Sequence, residues 1–300
     1  MMMTAWFLAR NFNRLRTKRL ALACLFYCSV TLSALASGPA TPLPDTSGAV
    51  DYGVSFDDVL SLPDSPAGRL VSYGNESLQT FVHDSPAGDS KAEIVLIHGG
   101  CWSNAYSRDH LLPLASGLVD AGYSVWLPEY RRVGDVGGGW PGSFSDVKAA
   151  LAFVAMETEG PLIVMGHSAG GHLALLASQE ATSRLDGVLA LAPITDLGVY
   201  GSQEGSCQAM VGEFLGVSVE QLPKIYQTAS VVPSRVSEPA LLLLGTEDPI
   251  IGLDQLAGFP PEQVRLVSGA GHFDLIHPDT PAFAIVLEVL EAFIRAGDSL

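Results

Sequence analysis

Short apolar runs alternate along this chain with longer stretches whose apolar residues recur at helical spacing. Ile94–Ile97, Ser124–Pro128, Leu162–Met165, Leu185–Ala192, Leu241–Leu244 and Val264–Val267 read as buried strands. Asp109–Ala121, Ser143–Met156, Gly170–Gln179 and Pro281–Ile294 read as helices. Leu70–Tyr73 and Ser77–Val82 flank Gly74-Asn75 and predict a hairpin, and Asp57–Leu62 predicts a short helix. Strands separated by helices in this rhythm predict βαβ units, a mostly parallel sheet and helices on both of its faces. Residues 199–235 break the rhythm. They hold two helix-like pieces, Gln208–Leu215 and Val219–Tyr226, and no strand. An insertion there falls over the carboxyl ends of the strands, where open α/β sheets bind ligands.

The first residues follow a different rule. Arg10, Arg14, Arg16, Lys18 and Arg19 precede an apolar stretch, Leu20–Leu35, and Ala34-Leu35-Ala36 has the form of a cleavage site. Residues 1–36 are therefore expected to be a signal peptide, 37–65 a flexible lead-in and 66–300 one catalytic domain. The expected compartment is periplasmic or secreted. An uncleaved membrane anchor is the minority alternative, because the apolar stretch is short for a bilayer; no stable membrane insertion is expected once the signal is gone.

Charge narrows the partners. The formal net charge is −16, and removing the five basic residues of 1–36 from the 16 leaves 11 against 32 acidic, a net of −21. Nucleic acid is excluded as an expected partner, since phosphate binding needs clustered Lys and Arg. Of four cysteines, only Cys101 and Cys207 lie beyond the signal. Two free thiols rank ahead of a bridge, though an oxidising compartment permits one.

The chemistry gathers at strand ends. Pro161–Met165 runs into Gly166-His-Ser-Ala-Gly170, and a helix-forming run follows directly. This strand–turn–helix context marks Ser168 as a candidate nucleophile at the apex of a sharp turn. Leu241–Leu244 ends in Gly-Thr-Glu-Asp-Pro, giving Asp248 as candidate acid, and Val264–Val267 ends in a Gly-rich loop carrying His272 as candidate base. Nucleophile, acid and histidine thus follow in the chain order of α/β-hydrolases. His277 is the second-ranked base and Asp254 the second-ranked acid. Ile94–Ile97 ends in His98-Gly-Gly-Cys-Trp102, whose glycines let backbone amides approach an oxyanion. The expected oxyanion donors are the amides of Gly100, Cys101 and Ala169. Trp102 and His167 are the expected pocket residues. His98 and His172 are expected to be structural, and Arg131 and Asp146 to pair behind the site. No zinc-spaced Cys/His set and no phosphate loop occurs, so no metal or cofactor is expected.

From about residue 66 to 297 the chain resembles the α/β-hydrolase superfamily. His98–Trp102 together with Gly166-His-Ser-Ala-Gly-Gly-His-Leu-Ala174 resembles the esterase group that contains feruloyl-esterase-like hydrolases and kynurenine formamidases. Glu129-Tyr-Arg-Arg132, Gly137–Gly142 and Phe144-x-Asp-Val147 resemble bacterial members of that group. Cys101 departs from it, standing where aromatic or small residues are usual. The resemblance implies an α/β-hydrolase fold with a small cap after the strand that follows the nucleophile helix. It implies a serine hydrolase that cleaves carboxylic esters through an acyl-enzyme, which the expected signal peptide would make an exported one. The alternatives are an aryl-formamidase, amidase or aminopeptidase-like hydrolase, and a catalytically silent binding protein on the same fold.

Overall fold

The apolar runs become the inner strands of one eight-stranded sheet. The structure is a computed structural model and describes residues 50–63, 68–180, 185–237 and 239–297. The expected signal peptide, residues 1–36, lies outside the described residues.

The strands are β1 (Arg69–Ser72), β2 (Thr80–Asp84), β3 (Glu93–Ile97), β4 (Ser124–Pro128), β5 (Leu162–His167), β6 (Gly187–Leu191), β7 (Ala240–Gly245) and β8 (Val264–Val267). Their spatial order is β1-β2-β4-β3-β5-β6-β7-β8. β1–β2 and β2–β4 pair antiparallel, and every other neighbouring pair is parallel. Every residue of β4, β5 and β6 is buried. Successive strand side chains point to opposite faces, so both faces of the sheet centre are covered.

Helices α2 (Leu112–Asp120), α3 (Gly142–Glu157), α4 (Ala169–Gln179) and α8 (Pro281–Gly297) provide that cover. α4 follows β5 with only Ser168 between them and packs on β5 and β6. All but its last residue, Gln179, are buried, which explains why it is composed of Ala, Gly, Leu, His and Ser rather than charged residues. A Cβ on Gly170 would collide with the carbonyl oxygens of Ile97 and His98, so only glycine lets the helix start this close to β3.

Between β6 and β7 the chain leaves the sheet and forms α5 (Leu197–Gly201), α6 (Ser206–Leu215) and α7 (Pro223–Ala229). This is the expected cap. Its second and third helices match the two pieces read from the sequence, with the last moved four residues downstream to start at Pro223, a residue suited to the first helical turn. The lead-in expected to be flexible is ordered where it is described. α1 (Phe56–Leu60) is closed by a Ser55/Asp58 capping box and buries Val59 completely. Asp274, fully buried, accepts the amides of Gly53 at 2.9 Å and Val54 at 3.1 Å, and thereby ties this segment to the loop after β8.

Candidate active site

Ser168 sits between β5 and α4 with φ 55° and ψ −121°, a conformation that ordinary L-residues avoid. Its amide donates to Leu191 O at 2.8 Å and its carbonyl accepts from His172 N at 3.0 Å, which holds the strained apex from both sides. The side chain opens into a cavity of about 360 Å³, the size range of small-molecule sites.

His272 lines the same cavity. Its Nδ1 lies 2.8 Å from Asp248 Oδ2. Asp248 Oδ1 accepts the amides of Ile250 at 2.8 Å and Ile251 at 2.9 Å, so the buried carboxylate is fixed by its own loop. Nδ1 therefore carries the proton that it donates to Asp248, and Nε2 is left as the acceptor. Among the described residues no hydrogen bond joins Ser168 Oγ to His272 Nε2. The expected base is thus engaged with its acid but not yet with the serine. Such bonds are commonly long in ligand-free sites and tighten in the substrate complex.

The second-ranked candidates lie elsewhere. His277 accepts the Asp279 amide at 3.2 Å and faces a separate surface hollow against Asp58 and Tyr52. Asp254 takes hydrogen bonds from Gln203 and Gln255.

The loop after β3 comes close to the serine. A Cβ on Gly99 would stand 3.1 Å from Ser168 Cβ and 2.8 Å from His167 O, so glycine sets this approach. The amides of Gly100, Cys101 and Ala169 donate to no protein acceptor among the described residues. Gly100 and Cys101 line the cavity. His98 anchors the loop, as expected, through Gly99 O at 2.8 Å and Glu129 Oε1 at 2.7 Å.

Two expectations are corrected. Trp102 does not line the cavity: it is fully buried, stacked on Phe214 at 4.7 Å and edge-on to His172. Cys101 and Trp102 both have positive φ, 54° and 57°, and the turn sends the indole inward to join the loop to α6. Second, Cys101 and Cys207 are bridged rather than free, with Cα atoms 5.2 Å apart. The bridge fastens the loop after β3 to the start of α6.

His167 lines the cavity. Its Nε2–H donates to His272 O at 3.1 Å and its ring packs on the His272 ring at 4.5 Å. Burial, then the neighbouring His272 and His110, hold it far below the usual histidine range. Burial likewise pushes His172 down to about 4; its Nε2–H donates to Ala229 O, and it stays structural. Arg131 and Asp146 pair, with Nη2–Oδ1 at 2.7 Å.

Sequence reasoning missed the aromatic side of the cavity wall. Phe56 from α1, Tyr106, and Phe273 from the His272 loop form one aromatic side, with Phe56 centred 5.7 Å from Tyr106 and 5.3 Å from Phe273. Glu204 and Gln208 from the cap form the other. Glu204 and Gln208 lie in the 199–235 segment that the sequence placed over the strand ends; of the aromatic residues, only Phe273, adjacent to His272, carried a signal that could have found it.

Residues 83–259, more than half of the chain, match the family described as BD-FAE. The chain belongs to the BD-FAE family. A triacylglycerol lipase of Mycobacterium tuberculosis is 28% identical over 195 residues, 63% of this chain and 42% of the lipase. A versiconal hemiacetal acetate esterase of Aspergillus parasiticus is 41% identical over 73 residues, 22% of this chain and 23% of that enzyme. This BD-FAE chain thus spans less than half the length of either curated relative. Among solved structures it resembles esterase B of Lactobacillus rhamnosis, with TM-score 0.62, 19% identity and coverage of 77% of this chain and 86% of that one. It also resembles the hormone-sensitive-lipase homologue EstE7 from a metagenome library, with TM-score 0.62, 19% identity and coverage of 80% and 90%. The fold of this BD-FAE member is that of the α/β-hydrolases.

Proposed function

We propose that this protein is a serine hydrolase that cleaves small carboxylic esters through an acyl-enzyme. One observation carries the reading. Ser168 stands strained in the wall of a cavity that His272 also lines, and His272 Nδ1 is engaged by the buried carboxylate of Asp248 at 2.8 Å. The relatives named as lipase and esterase support the same class of substrate.

In this reading Ser168 Oγ attacks the ester carbonyl while His272 Nε2 takes its proton. Asp248 holds the imidazole in the tautomer with Nδ1 protonated and stabilises the imidazolium that forms. The oxyanion is met by the amides of Ala169, Gly100 and Cys101, whose hydrogens are otherwise uncommitted. His272 then protonates the leaving alcohol, and a water activated by the same ring releases the acid. The aromatic wall of Phe56, Tyr106 and Phe273 supplies apolar contact for the substrate. The Cys101–Cys207 bridge keeps the oxyanion loop and the cap in register.

Export is part of the proposal. The basic, apolar and Ala-x-Ala sequence of residues 1–36 supports it, and a disulfide suits an oxidising compartment. Amino-terminal sequencing of the protein recovered outside the cytoplasm tests this: a start at Ser37 is expected, and a start at Met1 overturns it.

The catalytic claim is tested by turnover of a short-chain p-nitrophenyl ester. Wild-type protein is expected to be active, and Ser168→Ala to have lost nearly all of it. Equal activity in the two proteins overturns the proposal.

A further inference from the structure

His98, buried completely behind the Gly99–Cys101 loop, has both ring nitrogens facing acceptors. Nδ1 lies 2.8 Å from Gly99 O and Nε2 2.7 Å from Glu129 Oε1. A neutral imidazole has one N–H and can satisfy only one acceptor. Either the ring carries two protons or the carboxyl carries one. The surroundings of Glu129 favour the carboxylate. Its Oε1 also faces Arg132 Nη1 at 3.0 Å and accepts the Tyr130 amide at 3.3 Å, and its Oε2 accepts the Arg108 amide at 3.2 Å. Burial raises the Glu129 carboxyl, and its His98, Arg132 and Arg108-amide partners lower it below the usual carboxylate range.

The other neighbours suit a charged ring. Tyr130 stacks on His98 at 4.3 Å and 19°, which places an aromatic face against the ring, and its hydroxyl donates to His98 O at 2.9 Å. Arg132 is shared with Asp135 at 3.1 Å, and the Arg108 guanidinium turns away to Thr80 O. His110, ring centre 5.9 Å away, is pushed by burial and by His98 down to about 3 and adds no competing charge.

We propose that Glu129 is a positioning residue for the reaction: it holds His98 as a buried imidazolium that clamps Gly99 O and aims the Gly100 amide at the oxyanion. The geometry of the peptide makes this work. Gly99 C=O and Gly100 N–H belong to one planar trans unit and point in opposite directions. Tying the carbonyl to His98 on the inner side directs the N–H to the cavity. A charged donor on that carbonyl also polarises the peptide and strengthens the N–H as a donor. The proposal rests on the oxyanion assignment made above.

The test pairs kinetics with a spectrum. Glu129→Gln keeps the shape and removes the charge: a neutral His98 can donate to Gly99 O and accept from the glutamine NH2, which then no longer accepts from Arg132 and the Tyr130 amide. Its kcat on a short-chain p-nitrophenyl ester is expected to fall on the order of tenfold, since one oxyanion donor is weakened rather than lost, with KM within about twofold and unchanged circular dichroism. Proton–nitrogen spectra of histidine-labelled wild-type protein at neutral pH should show one buried histidine with both ring nitrogens protonated. That signal should vanish in His98→Asn and in Glu129→Gln. An unchanged kcat in a folded Glu129→Gln protein, or no doubly protonated buried histidine in wild type, overturns the proposal. The wild-type spectrum decides if the variants do not fold. Ser168→Ala, assayed alongside, separates the two claims: if it retains turnover the serine mechanism fails, whereas the spectrum reports on His98 and Glu129 alone.

Discussion

His272 Nδ1 meets Asp248 Oδ2 at 2.8 Å across the loops that follow two neighbouring parallel strands, β7 and β8. The Asp248 side chain is fully buried and its second oxygen is already occupied by two amides, so its position is set before any substrate arrives. Asp248→Asn should therefore keep the fold and KM while kcat falls about 10⁴-fold, because the asparagine side chain favours the wrong imidazole tautomer. Asp254→Asn should be near wild type. A reversed pair of results would reassign the acid.

Acid should unfold the protein before it titrates the carboxylates fully. His110 and His172 are buried neutral, at about 3 and about 4, against an ordinary value of 6.5. The unfolded chain thus takes up protons near pH 6.5 that the folded chain refuses. Their contribution is complete above about pH 6.5 and is lost as the pH falls from there toward 4 and 3. Glu129 acts in the same direction lower down, its contribution lost as pH falls from about 4.5 toward 2. The urea midpoint should drop steadily between pH 7 and pH 4.5; a flat or rising profile would contradict this burial.

The Cys101–Cys207 bridge closes a span of 106 residues. By loop entropy such a bridge stabilises by about 4–5 kcal/mol, which corresponds to a Tm difference on the order of 10 °C for a domain of this size. Unreduced, denatured protein beginning after residue 36 should show no free thiol, and reduction should lower Tm. Two titratable thiols would rule the bridge out.

Phe56 reaches the cavity from a segment outside the sheet. Phe56→Ala should raise KM for an ester with a medium acyl chain by about tenfold, the loss of roughly half of a buried phenyl. kcat should change less than KM and the Tm little. A large fall in kcat with constant KM would mean that α1 supports the catalytic loop instead.

What the sequence made legible depended on how local each signal was. Gly166–Gly170 announced the strained turn because strand, glycines and helix are contiguous. Asp248 and His272 were legible as candidates because each lies just past an apolar strand. Trp102 was misplaced because its direction depends on two consecutive positive φ values, 54° at Cys101 and 57° at Trp102, that no side chain there advertises. Phe56 had no local signal, lying 112 residues before Ser168, and Glu129 stood out only within Glu129-Tyr-Arg-Arg132, with nothing to link it to His98 across 31 residues. The pairing of Cys101 with Cys207 stayed open because cysteine counts report compartment, not distance.

The nucleophile itself is tested most directly by covalent labelling. A fluorophosphonate should add one phosphonyl group per molecule, abolish ester turnover in step with labelling, and map by peptide mass to Ser168. Ser168→Ala protein should take up none and have kcat lowered by 10⁴–10⁶-fold, on the order seen when a triad member is removed. Labelling at a different serine, or full turnover by the unlabelled Ser168→Ala protein, would contradict the assignment of Ser168.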